Sequence, residues 1–352
     1  MRLHVLAAAC LLPCLTLQAA AQTFENHGDA DPPYRLFVPP AAETGGPLPL
    51  VVMLHGCNQD AAAFAEVTGM NALAAAEGFA VLYPEQREHP TDCWRWYEPA
   101  QQVRGQGEPA AIAGLVEALR RRPDLAIDPG RVYVAGLSAG AAMAAILGAT
   151  YPDVFAALGL VAGVPYGAAA GCLGAFNAMQ RIYARMPSPG AWADYGEAYW
   201  TCVFAGSFTP LLSPVPTPDR LGETAHAAMG PRARVLPVIV FHGGADRRVF
   251  PENGSDLIGQ WAQANDLASD GLDNDDIDAV AERETPGGRH GGHPVTTRVY
   301  EDGAGEAVMV FHAIDAMAHA WPGGAAGRPF SDPAGPAASR LIWAFFAARP
   351  KP

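Results

Sequence analysis

The sequence predicts an α/β fold built on a mostly parallel sheet with helices on both faces. From Tyr34 onward, short apolar runs alternate with helical segments, as in parallel sheets with crossover helices. The 352 residues are 50% hydrophobic and 17% charged, which is enough apolar material for one large core. The stretch Val132–Ala145 is typical of a strand, a sharp turn and an alanine-rich helix.

Each predicted strand is a short β-rich apolar run, and each predicted helix is a longer segment between two such runs. The predicted strands are Tyr34–Val38, Leu50–Leu54, Phe79–Tyr83, Arg131–Ala135, Ala157–Val161, Val235–Phe241 and Ala307–His312. The predicted helices are Ala61–Glu77, Pro109–Arg121, Ala141–Thr150, Gly254–Ala264 and Pro336–Ala348. A turn-rich connection, Glu301–Gly305, predicts a hairpin between His293–Tyr300 and the last strand.

The N-terminus has the pattern of a cleavable secretory signal. Arg2 precedes an apolar run from about Leu3 to Leu17, and Ala19–Ala21 provides a cleavage site. The apolar run is too short for a membrane helix, and Pro13 argues against a lipid anchor at the following cysteine. We therefore expect a signal peptide at 1–21, a secreted or periplasmic catalytic domain at 22–352, and no membrane association after cleavage.

Four cysteines remain after the signal segment, an even number in a chain sent to an oxidising compartment. They are Cys57, Cys93, Cys172 and Cys202. Of three possible pairings, Cys57–Cys93 and Cys172–Cys202 are favoured because each joins the nearest partners in sequence. Four free thiols are the alternative. Zinc is disfavoured because no pair has the short spacing of zinc ligands.

The charge balance excludes several classes of function. There are 36 acidic and 23 basic residues, for a net charge of −13, so nucleic acid is not an expected partner. Lys351 is the only lysine, which excludes a Walker-type phosphate loop, a Schiff-base lysine and a Ser–Lys dyad. No cofactor and no metal are implied. The acidic run 270–278 could bind calcium, but a solvated loop is the simpler interpretation.

The segment from about 171 to 234 interrupts the alternation of strands and helices. It is rich in aromatic residues and proline and lies between two predicted core strands. The sequence therefore predicts a cap inserted into the catalytic domain, with an ordinary long surface connection as the alternative.

The turn Gly136–Gly140 has the form G-x-S-x-G, with Ser138 at its centre. In such a turn the serine is strained and exposed at a strand end, and the two glycines leave room for crowded backbone. Ser138 is thus a candidate nucleophile, and the N–H of Ala139, at the start of a helix, is a candidate oxyanion donor. A glycine- and alanine-rich helix start is the alternative.

Three further strand ends supply what a serine nucleophile needs. The strand Leu50–Leu54 runs into a glycine turn where Cys57 can provide a second oxyanion N–H. A second buried strand ends in glycines and Asp246, which suits a carboxylate that orients an imidazole. His319 follows the last strands. The order Ser138, Asp246, His319 is that of α/β hydrolases.

The sequence also resembles the secreted esterases of the polyhydroxybutyrate (PHB) depolymerase family from about Tyr34 to Ala348. The stretches that carry the resemblance are LVVMLHGCNQD (50–60), FAVLYPEQ (79–86), CWRWYEP (93–99), RVYVAGLSAGAAMAAILGATYPDVFAA (131–157), FHGGAD (241–246) and HAWPGG (319–324). The resemblance implies that Ser138 is the nucleophile, His319 the base and Asp246 its orienting acid. It also implies an oxyanion hole formed by Cys57 and Ala139.

This resemblance leaves the substrate open. Extracellular polymer depolymerases of this kind typically carry a linker and a substrate-binding domain after the catalytic domain, and neither follows here before Pro352. Feruloyl and acetylxylan esterases and poly(aspartic acid) hydrolases are similar as well. Arg247 and Arg248, with Arg95 and Arg104, would suit an anionic chain, although surface arginine is the alternative. A non-catalytic binding protein is disfavoured because all three catalytic residue types are present, and the oligomeric state is open.

Aromatic side chains are the expected contacts to a polymer or oligomer substrate. Trp94 and Trp96 point the same way in an extended segment, so their indoles could form a flat apolar wall. Packing in the core is the alternative. Trp321, two residues after His319, is the third aromatic residue assigned to the substrate site.

Overall fold

A computed structural model describes residues 23–40, 46–181, 214–290 and 292–351. Its strands are β1 Thr23–His27, β2 Tyr34–Val38, β3 Leu48–Leu54, β4 Ala80–Pro84, β5 Ile127–Leu137, β6 Leu158–Val161, β7 Val238–Gly243, β8 Arg283–His290, β9 His293–Glu301, β10 Ala307–Ile314, β11 Trp321–Pro322 and β12 Ser331–Asp332. Its α-helices are α1 Ala61–Thr68, α2 Met70–Glu77, α3 Gly107–Arg120, α4 Ala139–Thr150, α5 Cys172–Gln180, α6 Pro218–Met229, α7 Glu252–Asp270 and α8 Ala338–Ala347.

A sheet of ten strands organises the described part of the chain, in the order β1-β2-β4-β3-β5-β6-β7-β10-β9-β8. Neighbours from β4 to β10 are parallel, and antiparallel pairs flank them on both sides. The carboxyl ends of β3, β5, β7 and β10 therefore meet at one edge. The loops that leave this edge carry the candidate site.

Helices cover both faces of the sheet and bury two apolar cores. One core includes Phe64 on α1, Met70 on α2 and Phe346 on α8. The other contains residues of α3, α4, α6 and α7, with Trp261 fully buried. Full burial of one large apolar side chain contributes about 1.5–3 kcal/mol, so these contacts fix the helices and, through them, the strand ends.

The centre of the second core is α4, in which every residue is buried. Small residues make this possible: a Cβ added at Gly148 would lie 2.5 Å from the side chain of Leu158. Because the helix axis lies so close to the sheet, the first turn of α4 is held rigidly at the end of β5. That turn follows Ser138 directly.

The predicted fold class is confirmed, and all seven predicted strands and the predicted hairpin are present with small shifts of their ends. The predicted helix Ala61–Glu77 is two helices, because Gly69 adopts φ 61° and ends α1. Strand β8 was not predicted because its sequence, RETPGGRH, contains proline and two glycines. A register shift between Thr285 and Gly288 accommodates them.

Several predictions fall outside the described residues. They are the signal peptide at 1–21, Cys202, and the middle of the cap-like segment. Of that segment, the structure describes α5 and α6, the latter packed against α7. The division into a signal peptide and one catalytic domain with an inserted cap stays a prediction.

Candidate active site

Ser138 occupies a strained turn between β5 and α4. Its backbone angles are φ 58° and ψ −120°, a region that non-glycine residues rarely adopt and that clusters at functional sites. The turn is fixed on both sides, since the Ser138 N–H donates to Val161 O at 2.9 Å and Ala142 N–H donates to Ser138 O at 3.0 Å. The residue is half-buried, unlike the fully buried strand residues that precede it.

The two flanking glycines are required by close backbone contacts. A Cβ at Gly136 would lie 2.4 Å from the carbonyl carbon of Gly140. A Cβ at Gly140 would lie 2.1 Å from Leu54 O. Both distances are far below a van der Waals contact, which explains the G-x-S-x-G spacing in this chain and brings the end of β3 against the serine turn.

The candidate oxyanion hole lies where β3 and β5 end side by side. A Cβ at Gly56 would lie 3.5 Å from Ser138 Cβ, so the loop after β3 packs directly against the serine. Among the hydrogen bonds between described residues, none is donated by the backbone N–H of Cys57 or Ala139. Neither N–H is therefore engaged within the described residues, and the assignment of Cys57 and Ala139 to an oxyanion hole stays a prediction.

His55 holds the loop that carries Cys57 in place, a role that the sequence did not reveal. Its Nε2 accepts the N–H of Gln86 at 3.1 Å, so Nδ1 carries the proton and donates to Gly56 O at 2.8 Å. Its carbonyl accepts the indole N–H of Trp94 at 3.0 Å. Burial lowers the pKa of His55, against the opposing effect of its bond to Gly56 O, so the imidazole is neutral in this network.

A disulfide between Cys57 and Cys93 ties the loop that follows β3 to the segment that carries Trp94. The predicted pairing is therefore present in the structure. Cys172 is also disulfide-bonded, whereas its predicted partner, Cys202, lies outside the described residues. The Asn58 N–H adds a bond of 2.7 Å to Thr91 O, so the loop is held to the Cys93 segment at two points.

Removing the Cys57–Cys93 bond should impair both stability and catalysis. On the chain-entropy model, a loop closed over a sequence separation of 36 contributes about 4 kcal/mol to the free energy of unfolding. Because one oxyanion donor is worth about 10²–10³ in rate, a loosened Cys57 loop should lower kcat by at least about tenfold. We expect both effects in Cys57→Ser/Cys93→Ser, measured by urea unfolding and ester hydrolysis.

Cys172→Ser provides the control for this prediction, because it also removes a disulfide but leaves the Cys57 loop intact. It should lower stability and keep kcat. An unchanged kcat in the double variant would show that the disulfide has no part in the oxyanion hole.

Asp246 and His319 form a buried hydrogen-bonded pair. Asp246 follows β7 and accepts the Nδ1–H of His319 on Oδ2 at 2.6 Å. Its Oδ1 accepts the N–H groups of Arg248 at 2.8 Å and Val249 at 3.0 Å. Burial alone would raise the pKa of Asp246, but the bond to His319, the neighbouring histidines and the Val249 N–H together hold it below its ordinary value.

The loop that carries His319 is fastened to the end of β7. Ala245 N–H donates to Met317 O at 3.0 Å and Gly244 N–H donates to Ile314 O at 2.8 Å. A Cβ at Gly243 would lie 2.3 Å from Met317 O, so only glycine permits this approach. The sheet order β5-β6-β7-β10 therefore puts Ser138, Asp246 and His319 at the same edge. No hydrogen bond between described residues joins Ser138 to His319, a contact that commonly tightens only when substrate is bound.

A second histidine, His242, lies next to Asp246, with its Nε2 atom 3.6 Å from Asp246 Oδ2. It is 2% exposed, and its Nε2–H donates to Val249 O at 2.9 Å, which closes the loop around Asp246. Burial lowers the pKa of His242, outweighing the opposite effect of the Asp246 charge. Nothing in the sequence around His242 distinguished it from an ordinary core residue.

The two buried neutral histidines predict a loss of stability in acid. His55 and His242 have folded-state pKa values below the unfolded value of about 6.5. Below that pH these histidines are protonated in the unfolded chain, whereas in the folded chain they stay neutral. The free energy of unfolding should therefore fall by up to about 1.4 kcal/mol per pH unit for each histidine. Urea unfolding at pH 7.5, 6.5 and 5.5 measures this slope.

His242→Gln tests the origin of the slope, since glutamine can donate to Val249 O but has no imidazole to protonate. The variant should show a shallower dependence on pH than the wild type over the same range. Equal unfolding free energies at pH 7.5 and 5.5 in the wild type would contradict the prediction.

The three tryptophans assigned to the substrate lie in the core instead. Trp94, Trp96 and Trp321 are 1%, 5% and 0% exposed. Trp94 bonds to His55 O, and Trp321 donates its indole N–H to Ser339 Oγ at 3.1 Å. The predicted exposed wall is therefore absent, because burying an indole releases more free energy than leaving it in a cleft. Trp94 and Trp321 support the loops that carry Cys57 and His319.

The arginines near the site have different surroundings. Arg104 makes two bonds to Asp153, at 2.6 and 2.8 Å, and Arg95 pairs with Glu88 at 3.2 Å. Both guanidinium groups are thus already engaged. Arg247 is exposed and lines a cavity of about 670 Å³ beside Asp246 that Ser138 and His319 do not line. Its assignment to substrate stays a prediction.

The backbone of the acidic run 270–278 is held by the buried carboxylate of Asp266. Asp266 is 1% exposed and accepts the N–H groups of Asn274, Asp275 and Ile277 at 3.1, 3.3 and 3.3 Å. Within the ranges that the structure describes, no cluster of three or more His, Cys, Asp or Glu residues could hold a metal ion.

Comparison with known proteins shows that the chain is similar to esterases. Residues 33–194 match the family model described as esterase PHB depolymerase. Poly(3-hydroxyalkanoate) depolymerase C of Paucimonas lemoignei is 34% identical over 78% of this chain and 55% of its own length. Acetylxylan esterase A of Aspergillus oryzae is 30% identical over 60% of this chain and 61% of its own. The chain thus spans little more than half the length of these relatives.

Two further similarities extend over more of the matched protein. Feruloyl esterase B of Thermothelomyces thermophilus is 28% identical over 73% of this chain and 77% of its own length. The structure of an acetyl xylan esterase from Aspergillus awamori superposes with a TM-score of 0.64, covering 93% of this chain and 98% of that one at 18% identity. At that identity the structural match shows the α/β-hydrolase fold alone.

Proposed function

We propose, from the match of residues 33–194 to the family model described as esterase PHB depolymerase, that this chain cleaves ester bonds of a polyester or its oligomers through an acyl-enzyme. The catalytic residues in this proposal are Ser138, His319 and Asp246. Cys57 and Ala139 provide the oxyanion hole. The observation that carries the proposal is the buried bond of 2.6 Å between Asp246 and His319, at the sheet edge that presents the strained Ser138.

The reaction proceeds in two displacements. Ser138 Oγ attacks the ester carbonyl while His319 Nε2 takes its proton, and the N–H groups of Cys57 and Ala139 stabilise the oxyanion. The tetrahedral adduct collapses, His319 returns the proton to the leaving alcohol, and an acyl-serine remains. Water, activated by the same imidazole, then releases the carboxylic acid. Asp246 keeps the Nδ1 proton on the side away from the serine.

Acetylxylan or feruloyl ester hydrolysis is the second candidate, favoured by the relatives that carry those names. Hydrolysis of the β-amide bonds of poly(aspartic acid) by the same residues is a further alternative. Polyester is preferred because the poly(3-hydroxyalkanoate) depolymerase is 34% identical over 78% of this chain. The acetylxylan and feruloyl esterases are 30% identical over 60% and 28% identical over 73%.

The proposal includes export from the cytoplasm. The Cys57–Cys93 disulfide suits an oxidising compartment. As a separate finding, none of the described helices is long and apolar enough to cross a membrane. The N-terminal pattern of Arg2, an apolar run and Ala19–Ala21 is consistent with a cleaved signal. N-terminal sequencing of the protein recovered from culture medium tests this part.

A substrate panel tests the reaction. Purified protein is assayed on 4-nitrophenyl butyrate, amorphous polyhydroxybutyrate, acetylated xylan, feruloyl oligosaccharide and poly(aspartate), with Ser138→Ala as the blank in every assay. We expect Ser138-dependent release of hydroxy acid from the polyester as the fastest polymer reaction. Faster release of acetate or ferulate would assign the second candidate function, and activity on none of the five would refute the proposal.

A further inference from the structure

Phe330 lies beside the candidate general base in an unusual backbone conformation. Its ring meets that of His319 edge-on, with centroids 6.4 Å apart and planes at 86°. Its φ is +57°, a left-handed conformation that is an outlier for a bulky residue. The conformation is held by the bond of 2.8 Å from Trp321 N–H to Phe330 O, within the loop that carries His319.

The same ring supports an arginine. The guanidinium carbon of Arg248 lies 5.3 Å from the centroid of Phe330, within the range of a cation–π contact. The backbone N–H of Arg248 donates to Asp246 Oδ1 at 2.8 Å. Arg248 is therefore anchored to the catalytic acid through its backbone and to the neighbour of the catalytic base through its side chain.

The charge of Arg248 is not neutralised by the protein. In the part of the chain that the structure describes, no carboxylate forms an ion pair with this guanidinium, although most other arginines there do. The side chain is also exposed. An exposed unpaired cation on an aromatic platform keeps all its donors for a planar anion such as a carboxylate.

We propose that Arg248, held on Phe330, binds the free terminal carboxylate of an oligoester, so that the enzyme prefers acid-terminated oligomers to uncharged esters of the same length. This inference deepens the proposed ester hydrolysis and depends on it. Every cut in a polyester of hydroxy acids leaves a carboxylate on one product, so the preferred substrates are those that earlier cuts create. The net charge of −13 repels anions at long range. A preference for acid-terminated oligomers therefore requires a cation close to the bound substrate.

The test compares two substrates that differ only in this charge. One is a linear trimer of 3-hydroxybutyrate with a free carboxylate, and the other is the same trimer with a terminal primary amide. Hydrolysis is followed by chromatography. The kcat/KM ratio of acid to amide should fall by about tenfold in Arg248→Gln, because a hydrogen bond to a charged group is lost. Because the ratio compares two substrates on the same variant, a general change in activity cancels.

Three variants locate the effect. Arg121→Gln removes the same charge from an exposed position on the far end of α3 and should leave the ratio at the wild-type value. Phe330→Leu keeps apolar bulk but removes the platform, and should lower the ratio by about threefold, as expected for loss of one cation–π contact. Loss of the preference in Arg247→Gln with full retention in Arg248→Gln would transfer the role to Arg247 and overturn the proposal.

The outcomes separate this inference from the proposed function. Wild-type protein that hydrolyses neither trimer nor 4-nitrophenyl butyrate would refute ester hydrolysis itself. Wild-type protein that hydrolyses all three, with an acid-to-amide ratio unaffected by Arg248→Gln, would refute only the carboxylate site. Added NaCl should narrow the difference in this ratio between the wild type and Arg248→Gln. Salt screens the attraction of the exposed Arg248 charge, which only the wild type has, whereas the long-range repulsion that it also screens is common to both proteins.

Discussion

Ser138→Ala is expected to lower kcat on any accepted ester by about 10⁵–10⁶, leaving only the rate supplied by binding and the oxyanion hole. Ser138 is the only nucleophile in the proposed mechanism, and its φ of 58° places it in a strained turn between β5 and α4. Alanine keeps the N–H that donates to Val161 O, so the turn should be preserved. Initial rates on 4-nitrophenyl butyrate measure the loss.

Two controls separate chemistry from misfolding. The variant should unfold in urea within about 1 kcal/mol of the wild type. A fluorophosphonate, which labels activated serines, should add one adduct to the wild-type protein at Ser138 and none to the variant. Retention of more than a tenth of the wild-type activity would remove Ser138 from the mechanism.

Much of the site was predictable because its residues follow buried strands. Parallel strands end at one edge of a sheet, so four motifs at the ends of β3, β5, β7 and β10 had to lie close together. The glycines strengthened the prediction, since Gly136, Gly140 and Gly243 each stand where a Cβ would collide with backbone atoms. Such steric requirements are local, so they appear in the sequence as glycines at fixed positions.

The supporting contacts were not predictable, because they depend on which face of a loop turns inward. Trp94 and Trp96 alternate as exposed strand residues would, yet both indoles are buried. His55 and His242 each follow a β-rich run as other polar residues do, and only the packed structure shows that they close the loops around Cys57 and Asp246. Phe330 has no motif at all; its positive φ is set by tertiary hydrogen bonding.

The orientation of the acid leads to a second large expected effect, that of Asp246→Asn. In the wild type, Oδ1 accepts two backbone N–H groups, from Arg248 and Val249, and Oδ2 accepts the Nδ1–H of His319. An asparagine must keep its oxygen toward the two N–H donors, because its amide NH₂ cannot accept from them. The NH₂ group is therefore forced to face His319.

An NH₂ group facing Nδ1 selects the tautomer of His319 that carries its proton on Nε2. This tautomer cannot accept the proton of Ser138, so kcat should fall by about 10⁴ while the loop geometry is retained. Asp246→Ala serves as the comparison, since it removes both functions of the carboxylate and leaves two N–H donors unpaired. It should lower activity and also destabilise the protein, by about 1–3 kcal/mol. Rates on 4-nitrophenyl butyrate and urea unfolding distinguish the two variants. An Asp246→Asn enzyme that keeps more than a hundredth of the wild-type kcat would show that Asp246 does not set the tautomer of His319.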